Sequence, residues 1–531
     1  MNMKKNMVFA AAILATVACT AAPGALDFSD ASYREVSLSY NGTPVSFRYY
    51  QNIYYVTNVV DSTYQKMNLY IPAEYYTGGS VNGYTAETAP IFLYHKVAGY
   101  TAAKATTLAS AVAKRGPRPG GRPQGGPGMG PGGPGGPGGP GMGPGGPQGG
   151  PQGGPMGGGP AEPEDESLIP SEITDSPEHP FMPLAALLRG YVVAAPAVRG
   201  RTCPSGQAPS AIVDLKAAVR YLKFNDAKMP GDASKIISDG TSAGGALSAL
   251  LGATGNHPDY EPYLKELGAA PATDDIFATQ AYCPITNLEH ADAAYEWMFG
   301  SLDESQHGAI TPEMKAVSQE LAAAFPAYVN SLDYVNARNQ KVDMNEDGTG
   351  AFTGWVCHFL RESAQEQVDA GKDLSAYPWV EVKDGKVGKI DFEGYVRYVG
   401  RKKTPVAFDA LDNTTGENNE FGTPEVPNRH FTAFSMERNT AEGAQMAPEA
   451  LIHMMNPMYY ITDEVAQTSP HWRICHGTKD SDTAMAIPIL LATNLLNNGF
   501  DVIFLATWDQ PHGGDYDTEA QFDWIDKISR Q

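Results

Sequence analysis

Between Val36 and Ile71 apolar and polar residues alternate in short runs, as in Val45-Ser46-Phe47-Arg48-Tyr49, which predicts an antiparallel edge region. Further along, the apolar runs become short and continuous: Pro90 to His95, Tyr191 to Ala195, Lys235 to Ser238 and Gln280 to Ile285. Such runs are expected of strands buried on both faces. Between them, Phe181 to Leu188 and Ile212 to Phe224 carry apolar residues three and four apart, the helical period. Strand alternating with helix predicts an α/β fold, a mostly parallel sheet flanked by helices. After about His290 the pattern changes to a long, helical and irregular region rich in Tyr, Asn and Glu, which runs to about Ile452. Strand patterns resume at Trp472 to Cys475 and Asp501 to Trp508. The expected division is a core in two parts, 23–290 and 456–531, with an inserted lid domain at 291–455. A lid over a site would exclude water and shape the pocket.

Two segments stand outside this pattern. Residues 116–160 are nearly pure Gly and Pro, with Gly-Gly-Pro triplets interrupted by four-residue steps such as Gly141-Met142-Gly143-Pro144. A collagen helix needs Gly at every third place without exception, so this insert is expected to be a disordered loop. At the start, Lys4-Lys5 precede the apolar stretch Met7 to Ala18, the layout of a signal peptide over residues 1–22. Thr16-Val17-Ala18-Cys19 is similar to a lipoprotein signal, which would put a lipid anchor on Cys19, while Ala18 to Ala22 would also suit ordinary cleavage. The expectation is an exported protein: periplasmic, outer-membrane lipoprotein or secreted. No later run is long and apolar enough to be transmembrane.

Composition narrows the partners. A formal charge of −22 argues against nucleic acid, whose phosphates need a basic surface. Cys203, Cys283, Cys357 and Cys475 fit buried thiols as well as bridges, and their spacing selects no pairing. Asp343-Met344-Asn345-Glu346-Asp347-Gly348 copies the first half of a calcium loop, but Gly354 stands where the closing Glu is required, so no metal is assigned.

The chemistry is concentrated at three strand ends. Ser242 lies in Gly240-Thr241-Ser242-Ala243-Gly244 directly after Lys235 to Ser238, a strand feeding a sharp turn. Asp480 follows Trp472 to Cys475, and His512 follows Asp501 to Trp508. The order Ser, Asp, His, each at a strand end, is that of an α/β-hydrolase nucleophile elbow with its acid and base. His476, four residues before Asp480, is read as a loop support. One oxyanion donor is expected from the N–H of Ala243 and the second from His95-Lys96-Val97-Ala98-Gly99-Tyr100, with Lys96 the candidate.

Asp239-Gly-Thr-Ser-Ala-Gly-Gly-Ala-Leu-Ser-Ala-Leu-Leu-Gly-Ala-Thr-Gly-Asn256 resembles the nucleophile segment of the bacterial tannases, and the resemblance extends over most of the chain. It implies a serine esterase that cleaves galloyl esters of hydrolysable tannins and alkyl gallates without a cofactor. It also implies that Lys403, Glu417 and Asp482, the last two residues past Asp480, hold the phenolic hydroxyls of the galloyl ring. Those residue types suit the task. Carboxylates accept from phenols, while an ammonium donates to the remaining lone pairs. Thr241 and Pro511 stand where another esterase group places a Cys beside nucleophile and base. The alternative reading of the same triad is a feruloyl or acetyl esterase acting on plant cell-wall esters.

Overall fold

The computed structural model describes residues 26–112, 169–176 and 180–531. Residues 1–22, where a signal peptide is expected, with Cys19, and the Gly/Pro-rich segment 116–160 fall outside the described residues. Ten strands form one sheet. Six are parallel neighbours, in the spatial order Asp501–Thr507, His471–Gly477, Ala278–Tyr282, Asp232–Thr241, Pro90–Tyr94 and Val192–Pro196. The sheet continues antiparallel through Lys66–Pro72, Thr43–Tyr54 and Tyr33–Tyr40, as the alternating pattern predicts, and ends on the two-residue strand Glu172–Ile173.

Burial explains the two patterns. Val192–Pro196 and Ala278–Tyr282 are buried at every position, so they carry no polar face. Tyr33–Tyr40 lies near the edge and alternates buried with exposed residues from Glu35 onward. Ser210–Phe224 and Ala243–Ala253 pack beside each other, and Ala243–Ala253 is buried along its whole length against the strands on either side of the elbow. Among the described residues, no helix is long and apolar enough to cross a membrane.

No strand of the main sheet falls between Tyr282 and His471. That stretch supplies helices Leu288–Phe299, Pro312–Ser331, Ala351–Asp369 and Phe392–Val399, the small hairpin Val380–Lys383 with Lys386–Ile390, and shorter turns. The expected boundary at 290 falls inside helix Leu288–Phe299. Two aromatic clusters organise the stretch. Trp297 gathers Phe325, Phe352 and Phe392, with ring centroids 5.2–5.7 Å away. Tyr377 and Trp379 lie 4.8 and 5.4 Å from Trp508, on the loop leading to His512. The half-copy of a calcium loop closes on itself: Asp347 accepts from the N–H and hydroxyl of Thr349.

Candidate active site

The parallel strands bring the three chemistry-bearing loops to one end of the sheet. Ser242 sits between strand Asp232–Thr241 and helix Ala243–Ala253 with φ 86° and ψ −110°, a backbone that costs an L-residue free energy and needs crowded support. The support is visible. The Ser242 N–H donates to Tyr282 O (3.0 Å), and the Ser242 carbonyl accepts from Ala246 and Ile285. A Cβ on Gly240 would lie 2.4 Å from Gly244 O and 2.7 Å from the His95 ring, and one on Gly244 would lie 2.6 Å from Val97 O. Both glycines of the motif are therefore required by close approach rather than by φ.

Ser242, His512 and Asp480 form an unbroken line. His512 Nε2 is 2.8 Å from Ser242 Oγ, and His512 Nδ1 is 2.7 Å from Asp480 Oδ2. Asp480 is fully buried, and its other oxygen accepts from the N–H groups of Asp482 (2.8 Å) and Thr483 (3.2 Å). Burial alone would raise the Asp480 carboxyl, but His512, His476 and these N–H donors outweigh it and hold it well below the usual carboxylate range. Burial likewise opposes charge on His512, and the Asp480 carboxylate overrides it, raising the imidazole above its ordinary value. His476 lies behind Asp480 with Nε2 3.8 Å from Oδ2, beyond hydrogen-bond reach, and burial lowers it to about 4. Neither of its ring nitrogens has a hydrogen-bond partner among the described residues.

Lys96 lies between His95 and Val97, which closely approach Gly240 and Gly244 of the elbow. The Ala243 N–H belongs to that first turn, where N–H groups have no partner within the helix. The His95 ring is anchored below, with Nε2 3.0 Å from Ser248 Oγ.

The segments that carry the candidates Lys403 and Glu417 are held by helix Leu288–Phe299. Asp292, Tyr295 and Glu296, at i, i+3 and i+4, share one face, and all three grip the 401–409 segment. Glu296 forms a two-pronged pair with Arg401, both side chains fully buried. Tyr295 Oη accepts from the N–H groups of Lys402 (3.2 Å) and Lys403 (2.9 Å). Asp292 accepts from the N–H groups of Ala407, Phe408 and Asp409. Asp409 in turn accepts from Asn418 Nδ2 (2.6 Å), which fixes the short helix Gly416–Glu420 that carries Glu417.

The three acyl-side candidates are not in mutual contact. Asp482 pairs with the ammonium of Lys402, not Lys403. The Lys403 ammonium rests 4.2 Å over the Phe408 ring and makes no ion pair among the described residues. Glu417 stands near Arg201 and the 95–101 loop: a Cβ on its neighbour Gly416 would lie 2.9 Å from the Arg201 guanidinium, which donates to Gly99 O. Beside it, Glu420 is fully buried with neither carboxylate oxygen hydrogen-bonded; burial pushes it well above the usual carboxylate range, and the Glu417 charge adds to the shift.

The sequence pattern misses Tyr295, Lys402 and Cys283. Cys283 is a buried free thiol that donates to Gly513 O (3.3 Å), with Sγ 4.0 Å from His512 Nε2. Burial raises its pKa, so it is a neutral neighbour of the imidazole. Cys283, Asp480 and His512 are the one group of metal-ligating side chains within 4.8 Å of one another among the described residues, but Asp480 and His512 are committed to each other. Cys203, Cys357 and Cys475 are also buried and free.

Comparison with known proteins agrees with this geometry. A family model described as BD-FAE matches residues 175–342. Carboxylesterase NlhH of Mycobacterium tuberculosis is 29% identical over 139 residues, 25% of this chain and 44% of its own length. The match therefore spans under half of that curated relative. Solved structures match far more. The native tannin acyl hydrolase of Lactobacillus plantarum superposes with a TM-score of 0.80 at 38% identity, over 95% of this chain and 99% of that one. The Fusobacterium nucleatum tannase superposes with a TM-score of 0.79 at 38% identity, over 95% of this chain and 100% of that one. A tannin acyl hydrolase in complex with ethyl gallate matches at a TM-score of 0.79 and 38% identity, over 95% and 99% of the two chains. With fold and sequence alike over nearly its whole length, the chain belongs to the tannase family of the α/β-hydrolases and is a carboxylic ester hydrolase.

Proposed function

We propose that this enzyme hydrolyses galloyl esters through a galloyl-serine intermediate, releasing gallate. The Ser242–His512–Asp480 line carries the proposal. In this mechanism His512 Nε2 takes the proton of Ser242 Oγ as that oxygen adds to the ester carbonyl. The N–H groups of Ala243 and Lys96 receive the oxyanion. Collapse expels the alcohol with the proton from His512, and a water activated by the same imidazole then releases gallate. Asp480 keeps Nδ1–H directed at itself and stabilises the imidazolium. No step calls on a cofactor.

On the acyl side, Lys403, Glu417 and Asp482 are assigned to the three ring hydroxyls. The neighbouring structure with bound ethyl gallate supports this substrate class. Lys403 and Glu417 reach the site through Tyr295, Asp292 and Asp409, and the segment that carries them is proposed to act as the lid. Sites built to bond substrate hydroxyls reject analogues lacking them by roughly 10⁴–10⁵, since their polar groups are left unpaired. Methyl gallate should therefore be cleaved and methyl benzoate refused, and Ser242→Ala should lose activity by about 10⁶ in kcat. Equal turnover of the two esters would discard the galloyl pocket. Preferential cleavage of methyl ferulate, indifferent to Glu417→Ala, would favour a feruloyl esterase.

A further inference from the structure

Tyr295 Oη has no unused capacity. A phenolic oxygen donates once and accepts about twice. Here it accepts from the N–H groups of Lys402 and Lys403 and donates to Ser481 O (2.9 Å). Ser481 lies between Asp480 of the proton line and Asp482 of the acyl side. One buried hydroxyl thus fixes the lysine segment to the acid loop, and a second contact closes the loop from outside: the Lys402 ammonium on Asp482 Oδ2. Asp482 in turn donates its N–H to Asp480. Lys402 and Asp482 are 27% and 12% exposed at their side chains, so the pair borders solvent at the rim of the site.

The ammonium has a definite consequence for Asp482. A carboxylate offers about four lone-pair sites. Lys402 engages one oxygen and leaves the other free to accept from a hydroxyl. The contact also fixes the orientation of the carboxylate at the rim.

We infer that Lys402 is a specificity-determining residue of the acyl pocket: its ammonium holds the Asp482 carboxylate as an oriented acceptor for a phenolic hydroxyl of the substrate, and Tyr295 is the residue that positions both. The inference rests on the galloyl reading of Asp482. It adds a residue that no substrate hydroxyl need touch, and it predicts that preference for hydroxylated rings depends on a cation adjacent to Lys403.

The test compares Lys402→Met, Lys402→Arg and Tyr295→Phe with wild type on methyl gallate and on 4-nitrophenyl acetate, whose acyl group carries no ring. The kcat/KM ratio of gallate to acetate ester should fall roughly tenfold in Lys402→Met, the worth of one charge-assisted hydrogen bond, through KM rather than kcat. Lys402→Arg should restore the ratio, and Tyr295→Phe should lower it in the same sense. An unchanged ratio in Lys402→Met, or equal losses on both esters, overturns the inference. Wild-type enzyme run on methyl benzoate separates the two failures. If it shows no preference for methyl gallate, the galloyl reading falls and this inference with it; if the preference is present and Lys402→Met keeps it, only this inference falls.

Discussion

Ionisation of His512 governs what a single residue does here. Only the neutral imidazole can take the Ser242 proton, so kcat/KM must fall as pH drops through the His512 pKa. The Asp480 carboxylate, 2.7 Å from Nδ1, favours the imidazolium and raises that pKa above its ordinary value. Asp480→Asn removes the charge, so the acid limb of kcat/KM on methyl gallate should move to lower pH. The plateau should drop about 10⁴-fold, because the amide no longer selects the Nδ1–H tautomer. Profiles of the two proteins on the same ester decide this. A limb that stays in place would mean that a group other than His512 sets it.

At the scale of elements, helix Leu288–Phe299 is the joint between sheet and insertion. Its Asp292, Tyr295 and Glu296 bind the segment 401–409 at three points, and the Glu296–Arg401 pair is the deepest, with both side chains fully buried. Removing one partner of such a pair strands the other charge in a low-dielectric interior, which costs about 3–5 kcal/mol. Glu296→Gln should therefore lower unfolding free energy by about that amount in a denaturant titration, and it should release the Lys402–Lys403 turn. A change under about 1 kcal/mol would mean that water reaches Arg401 and the joint is looser than its packing. The same element marks where the sequence stops being legible. Ser242, Asp480 and His512 can be read directly because each follows a short strand-like run and stands in a turn, and run length and turn residues are local signals. Tyr295 and Lys402 give no such signal. Tyr295 Oη meets the 402 and 403 backbone across 107 and 108 residues, and Lys402 meets Asp482 across 80. Neither separation leaves a periodicity. The resemblance to tannases marks Lys403, whereas the ammonium on Asp482 belongs to its neighbour.

For the whole molecule the governing quantity is charge. The chain carries a formal −22, and Asp480 and Glu417 carry the same sign near the place where product forms. Methyl gallate is neutral near pH 7, whereas gallate leaves as a carboxylate. A field of one sign thus acts on the product and hardly at all on the substrate. The field is a matter of ionic strength: the Debye length is about 30 Å at 0.01 M salt and about 8 Å at 0.15 M. Lys402 and Asp482 pair with each other and add little net charge of either sign. Raising salt between those limits should therefore screen the repulsion and strengthen product inhibition. The Ki of gallate should fall, while the KM of methyl gallate stays within about twofold. Product-inhibition kinetics at the two salt concentrations measure both constants in one protein preparation. A Ki that rises with salt would show that Lys402 and Lys403 outweigh the molecule's overall field at the site, and would place recognition of the acid product in the same turn that Tyr295 holds.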